Sequence, residues 1–352
     1  MPYVFSTTQR GFTPVLIVKV DGQEVSGGFY NRLIEASVRD EAGQKSDQAT
    51  FKLDDAGNAL ELPREKASIE VYAGWKETGP PQLIGLYELQ TPSLAGDVSG
   101  GETMVLQASA ADLRRKLKGE GREHFENTTV GEIVERIAGR NGLSARVSPE
   151  LAGISIPYKA RIDSSEIDFL TRLADDLGAV LKPMGNVIVM APRGMAKSAS
   201  GLLLPAIKIE KNDCSSWEVN PNGRAQYGKV RAAYIDQRTG KRVIVDAPTG
   251  LDGPDFTIRD PLPGHEQAEK AAQAEARRLT RNTGDGHFEL ALGRVDAQAE
   301  ADVIAGSSFR KEIAGVWRAE AVEHTWNDEG WHTRIEIKAK EDGTSTKDDD
   351  DD

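Results

Sequence analysis

Five histidines, one cysteine and 56 carboxylates are the side chains of this 352-residue sequence with the most obvious chemistry to offer. The histidines are His124, His265, His287, His324 and His332, and none sits in an H-x-x-x-H or C-x-x-C frame. His324 and His332 flank the last predicted hairpin and could face each other across it as a zinc pair. No third ligand stands at a diagnostic spacing, so the reading favours exposed or structural histidines. Cys214 has no partner for an intrachain disulfide. The sequence has no G-x-S-x-G elbow, no phosphate-binding P-loop and no G-x-G-x-x-G placed after a strand. Neighbouring carboxylates such as Asp54-Asp55, Asp175-Asp176 and Asp328-Glu329 are better explained by turns and solvated helix faces than by acid/base work on a glycoside. No cofactor or metal is expected. Trp317, Trp326 and Trp331 cluster around the final hairpin. Core packing accounts for them, and the sharper reading makes them anchors at an interface.

The elements that would carry these residues fall into three blocks. Through about residue 112, short runs alternate apolar and polar: Val15–Val20, Ala49-Phe51-Leu53, Ile69-Val71-Ala73 and Met104-Leu106-Ala108. Period two puts one face in a core and the other in water, as in a barrel or sandwich. Residues 113–197 change period. Thr129-x-x-Glu132 signals a capping box before Ile133, Val134, Ile137 and Ala138, with Asn141-Gly142 as the stop. A second helix starting at Asp163 or Ser165 lines up Ile167, Leu170, Leu173, Ala174 and Leu177 before Gly178. The stretch from Gly194 to Gly201 reads as a linker. Residues 198–340 return to strands, with a hairpin around Gln237–Gly240 and a long Pro/Gly-rich loop from Pro248 to Gly264. An alanine-rich helix at about 265–282 and a last hairpin turning at Asn327–Gly330 follow. No internal repeat is detectable by eye.

Charge and hydropathy narrow the function classes. The net charge is −12, and the segment from Glu341 to Asp352, EDGTSTKDDDDD, carries seven carboxylates and one lysine. That end is expected to be a flexible acidic tail. A body this mildly acidic argues against a reader of nucleic acid held by phosphate contacts. No apolar run reaches the ~20 residues of a membrane helix, and the first ten residues lack a signal peptide's apolar core, so folding in a cytoplasm is expected.

Residues 127–158, NTTVGEIVERIAGRNGLSARVSPELAGISIPY, and 161–190, RIDSSEIDFLTRLADDLGAVLKPMGNVIVM, resemble the phage late control gene D protein family, the baseplate hub proteins of contractile tails. FTPVLIVKVDGQEV (12–25), ASAADLRRKLKG (108–119) and WRAEAVEHTWNDEGWHTRIEI (317–337) fit the same family in the same order. The resemblance implies a mainly β, α+β fold: two tail-tube-like β-barrel domains, 1–112 and 198–340, flanking a small α/β domain, 113–197. It implies a non-enzymatic, structural role as a homotrimer, whose ring adapts a hexameric tail tube to a trimeric central spike. The implied partners are the spike protein, the tail tube protein, and the tape measure and baseplate wedge proteins. Neither a membrane anchor nor sequence-specific nucleic-acid binding is implied. The expected location is the tail baseplate of a virion, or of a prophage-derived tailocin, assembled in the host cytoplasm. The acidic tail departs from the family's usual ending.

Two other classes compete. A tail-associated cell-wall-degrading enzyme would need a lytic domain with its own motif, and the hub pattern already uses residues 1–340. A regulator of late transcription would need a helix-turn-helix, but the two central helices are separated by strands and ~25 residues, and the charge has the wrong sign.

Overall fold

In the computed structural model, the described residues are 3–4, 9–42, 47–97, 101–110, 117, 119–184, 187–193, 204–221, 226–236, 238–281 and 284–340. The expected linker from Gly194, the acidic tail from Glu341 and most of the 108–119 motif lie outside them.

The first module comprises β1 (Tyr3–Val4), β2 (Pro14–Val20), β3 (Gln23–Glu24), a short helix α1 (Gly27–Asn31), β4 (Leu33–Glu41), β5 (Gln48–Asp54), β6 (Ser68–Trp75), β7 (Gln82–Leu89), β8 (Ser93–Asp97) and β9 (Gly101–Ala110). The alternation read from the sequence is the packing itself. Ala49, Phe51 and Leu53 of β5 and Met104, Leu106 and Ala108 of β9 point into one core, while Thr50, Lys52 and Val105 point away.

The central unit follows with β10 (Glu120–Thr129), α2 (Val130–Arg140), β11 (Ser144–Val147), α3 (Pro149–Ala152), β12 (Ser155–Ser165), α4 (Glu166–Asp176), β13 (Ala179–Met184) and β14 (Val187–Pro192). Thr129 and Glu132 form the expected reciprocal cap on α2. Ser165, not Asp163, caps α4, its hydroxyl accepting from the Asp168 amide at 3.2 Å. Both helices bury their apolar stripes in a core of their own, with Ile133, Ile137, Leu170 and Leu173 fully covered.

The last block holds β15 (Ile207–Ile209), β16 (Cys214–Asn220), β17 (Lys229–Ile235), β18 (Arg242–Pro248), β19 (Asp255–Thr257), α5 (His265–Arg281), β20 (Asp285–Leu290), β21 (Asp302–Ala305), β22 (Gly315–Asn327) and β23 (Gly330–Ala339). Between β16 and β20 the chain leaves the barrel to build a small layer of its own. Strands β18, β17 and β19 pair, and α5 lays Ala268, Ala272 and Ala276 on Val230, Ala232 and Ala247. The long loop after Pro248 is used there, since β19 pairs in parallel with β17.

Tracing the ladders exposes a duplication that residue identities conceal. We label six strands of each module a to f in chain order: β2, β4, β5, β6, β7/β8 and β9 in the first; β15, β16, β20, β21, β22 and β23 in the second. Both then pair in the spatial order a-d-e-f-c-b. The registers agree residue by residue. Leu53 opposes Met104 as Leu290 opposes Thr333, and Gln48 opposes Ser109 as Asp285 opposes Lys338. The b–c ladders carry a register shift at the same place, Leu33/Glu35 and Cys214/Ser216. On strand e, Tyr87–Asp97 corresponds to Trp317–Asn327 without a gap. The a–d pair differs, antiparallel in the first module and parallel in the second.

Candidate functional site

The two modules are joined by one shared ladder. Strand β22 is 13 residues long. Its first residues, Gly315 to Arg318, pair with β21. Further along the same edge, Ala321 to Trp326 pair antiparallel with Glu41 to Ala36 of β4, so one sheet runs through both modules. Length alone makes this joint, because β22 outruns its neighbour β21 and leaves hydrogen-bonding groups that another strand must satisfy.

The core seals it. Trp326 and Trp331, from the tip of the second module's hairpin, belong to the first module's hydrophobic core, and each is 0% exposed. They stack at 5.4 Å, and Trp331 lies 5.0 Å from Trp75. Trp75 Nε1 donates to the Gly293 carbonyl at 3.0 Å. Gly293 lies so close to the Trp331 ring that no Cβ would fit between them. Trp317 is buried in the second module's own core, its Nε1 donating to Ile313 at 2.7 Å. The expectation that these three tryptophans anchor contacts between chains is therefore corrected. In this chain their apolar area is already spent within and between its two modules. Clustering around a hairpin could not reveal that, because an intrachain module joint and an interface between chains select the same residues.

Polar groups on either side of the sheet lock the register. On the face away from the cores, Arg39 reaches Glu41 at 2.7 Å, Glu336 at 3.0 Å and Glu323 at 3.2 Å, spanning both modules. On the core side, Asp40 accepts from the Ala299 amide at 2.8 Å and from Lys182 of the central unit at 3.0 Å. Lys182 also reaches Asp47 at 3.2 Å. Burial opposes the Lys182 charge, but Asp40 and Asp47 outweigh it and hold the ammonium above the ordinary lysine range. Burial pushes the Asp47 carboxyl up to about 6 against the pull of Lys182. One aspartate thus ties both modules and the central unit together, a role invisible in a sequence with 56 carboxylates.

His324 is buried beside this joint, Nδ1 2.8 Å from Thr333 Oγ1, and burial lowers its pKa to about 4 despite Asp40 and Asp296 nearby. It cannot share a metal with His332. His324 opposes Thr333 while His332 opposes Thr325, so the two imidazoles project from opposite faces of the hairpin. No group of three or more metal-ligating side chains occurs among the described residues. Burial raises the half-buried Cys214 thiol to about 11, the opposite of an activated nucleophile.

The carboxylate pairs serve structure. Asp54 and Asp55 accept from the Ala56 and Leu60 amides within a turn. Asp175 and Asp176 pair with Arg193 at 3.3 Å and Lys159 at 2.6 Å. A cavity of about 1010 Å³ lies where α4 meets α5 and the Phe256–Leu262 segment, and Asp175, Arg193, Glu275 and Arg278 line it. Arg278 pairs there with Glu275 at 2.5 Å and Arg193 with Asp175 at 3.3 Å. Gly178 fits against α5 there, where a Cβ would come within 2.9 Å of Ala274.

This arrangement joins modules edge to edge and offers no converging reactive groups among the described residues. Comparison with known proteins agrees with the joining role. The chain is 25% identical to the probable baseplate hub protein of Escherichia phage 186, across 93% of each protein. It is a homologue of phage baseplate hub proteins. It is also 26% identical to the probable baseplate hub protein of Escherichia phage P2, over 93% of this chain and 94% of that one. In fold it is similar to the 43 kDa tail protein of prophage MuSo2 from Shewanella oneidensis, with a TM-score of 0.68 at 13% identity, covering 94% of this chain and 99% of the other. No family model matches the chain. The structural baseplate hub role and the mainly β fold implied by the residue motifs stand on these relationships. No described helix is long and apolar enough to cross a membrane.

Proposed function

We propose that three copies of this chain form the hub ring of a contractile tail baseplate, threefold in its chains and nearly sixfold in its modules, adapting a hexameric tail tube to a trimeric spike. The observation that carries this reading is the matched a-d-e-f-c-b order of the two modules. A chain with two like modules lets three chains present six like surfaces on one side. The central units, one per chain, keep threefold symmetry for the spike. The work of the protein is joining, and assembly takes place in the host cytoplasm before the tail is complete.

Geometry favours three copies over two. Each chain brings eight strands in the order b-c-f-e, twice, to one continuous sheet. With strands ~4.8 Å apart and tilted about 40°, three copies close a barrel of roughly 24 Å backbone radius, wide enough for a DNA duplex; two copies give roughly 16 Å, which side chains ~5 Å deep would narrow to a channel with almost no clearance around a duplex. The face turned away from the module cores would line that bore. Most of its cations are paired, Arg39 with three glutamates, Arg334 with Glu289 at 3.3 Å and Lys338 with Glu320 at 3.5 Å, while exposed Lys52 on the same face stands across the ladder from Glu35. Glu35, Glu218 and Asp285 add further negative charge on the same face. An acidic lining repels passing phosphates where a basic one would hold them.

The test is mass in solution with and without the trimeric spike protein. A species of three times the chain's 38.2 kDa, alone or on the spike, is expected. A chain that stays at 38.2 kDa in both cases contradicts the ring.

A further inference from the structure

The joint inside the chain specifies the joint between chains. Strand b of the first module (β4) pairs with strand e of the second (β22). The same two positions are left open at the chain's other ends. Strand b of the second module, β16, pairs with β20, and the late part of strand e in the first, β8, pairs with β9; among the described residues neither has a strand on its other edge. All of β8 is exposed, and Leu94 stands 56% in solvent. We propose that β16 of one copy adds antiparallel to β8 of a second copy, repeating the β4–β22 register, with Trp217 opposite Gly96 of the partner subunit, Val219 opposite Leu94 of the partner subunit and Asn220 opposite Ser93 of the partner subunit.

Two observations support this register. The first is that the equivalence of strands is fixed before the joint is considered, by the shared bulges and the gapless match of Tyr87–Asp97 to Trp317–Asn327. It is therefore not fitted to the proposed contact. The second is the chemistry of the pairs that result. Inside the chain, small Ala36 opposes large Trp326; between chains, large Trp217 would oppose Gly96, the same volume but for one methyl group, with the sizes exchanged. Val38 opposite His324 becomes Val219 opposite Leu94, an apolar pair that removes the exposed leucine from water. Charged Arg39 opposite Glu323 becomes Asn220 opposite Ser93, polar against polar. A slip by one residue would set core-side Val219 against Ala95 or Ser93, which point to the bore side of β8, and would leave core-side Leu94 without an apolar partner, so the register is specified by the pleat of the two strands.

This inference rests on the ring reading and deepens it, and disulfide trapping separates the two. In full-length protein with Cys214→Ser, one variant carries Val219→Cys with Leu94→Cys, a second Glu218→Cys with Ala95→Cys, and a slipped control Val219→Cys with Ala95→Cys. Mild oxidation is expected to yield covalent trimers from the first or second variant and at least tenfold less product from the control. Since Leu94 is exposed in the single chain, Leu94→Asp is expected to leave its thermal unfolding unchanged and, added to the second variant, to abolish the product. Assembly to a trimer in which the slipped pair traps best, or none of the pairs traps, overturns this register alone. A chain that remains monomeric and traps nowhere overturns both the register and the ring.

Discussion

The two modules share a strand order and a register, yet they hold their cores differently. The first takes in Trp326 and Trp331 from the second module's hairpin. The second fills the equivalent space from its own residues, with Phe288, Phe309 and Trp217 in edge-to-face contact at 5.3 and 5.7 Å. Where the second module's strand e ends in Trp326, the first has Gly96, and where Trp331 stands the first has Glu102. One fold thus supports two kinds of joint. Inside the chain the joint is sealed by stacked indoles and is part of folding. At the free edges the proposed joint would be light, with backbone ladder and a few apolar pairs, suited to forming late and reversibly.

The contrast breaks most readily at the indole stack. Trp331→Ala empties a site 0% exposed that belongs to both modules, and a loss of about 3–5 kcal/mol is expected from chemical denaturation. The variant should also unfold in two steps, because the modules no longer share a core. A single transition at wild-type stability would show that the modules are independent of the stack.

The buried histidine sharpens the comparison through pH. The His324 pKa in the folded chain lies below its unfolded value, at about 4. Its contribution is therefore complete above pH ~6.5 and is lost as pH falls toward 4, about 3 kcal/mol in all. Asp47, raised to about 6, acts in the opposite sense, adding stability below pH ~4 that disappears as pH rises through 6. The two partly cancel in the native protein. The difference between His324→Gln and wild type isolates the histidine and should move by about 3 kcal/mol in the variant's favour between pH 7 and pH 4. A pH-independent difference would place the imidazole in contact with water.

Gly293→Ala is expected to cost about 1–3 kcal/mol by driving a methyl group into Trp331. The counterpart at the open edge is Gly96→Trp, which should change monomer stability by less than about 0.5 kcal/mol because β8 is exposed. Size-exclusion chromatography should nevertheless show it failing to assemble, since two tryptophans would then meet at one position. Equal effects of the two glycine substitutions on folding would erase the distinction between sealed and open joints.

Much of this fold could be read in the sequence wherever one face of an element is buried. The strands holding Ala49-Phe51-Leu53 and Met104-Leu106-Ala108, the capped helix after Thr129 and the last hairpin all followed from periodicity. β10 did not, because it lies in a two-stranded ladder with water on most of its surface and only Phe125 and Thr128 buried. The duplication was also hidden. Phe51-Lys52-Leu53 and Phe288-Glu289-Leu290 are equivalent and alike, but Tyr87–Asp97 and Trp317–Asn327 share no identical residue. Ladder register constrains backbones and leaves side chains free to diverge. The joint was least legible, since Asp40, Lys182 and Gly293 are ordinary residue types whose role depends on contacts between sequence-distant segments.

The central claim is that like modules repeat around a ring through one kind of strand pairing. End-on electron cryomicroscopy of the assembled chain tests it most directly. Six lobes around an open bore are expected, alternating between two slightly different shapes under threefold symmetry, with an unbroken sheet across every boundary. A ring of any other lobe number, or module boundaries between chains that lack strand pairing, would contradict it.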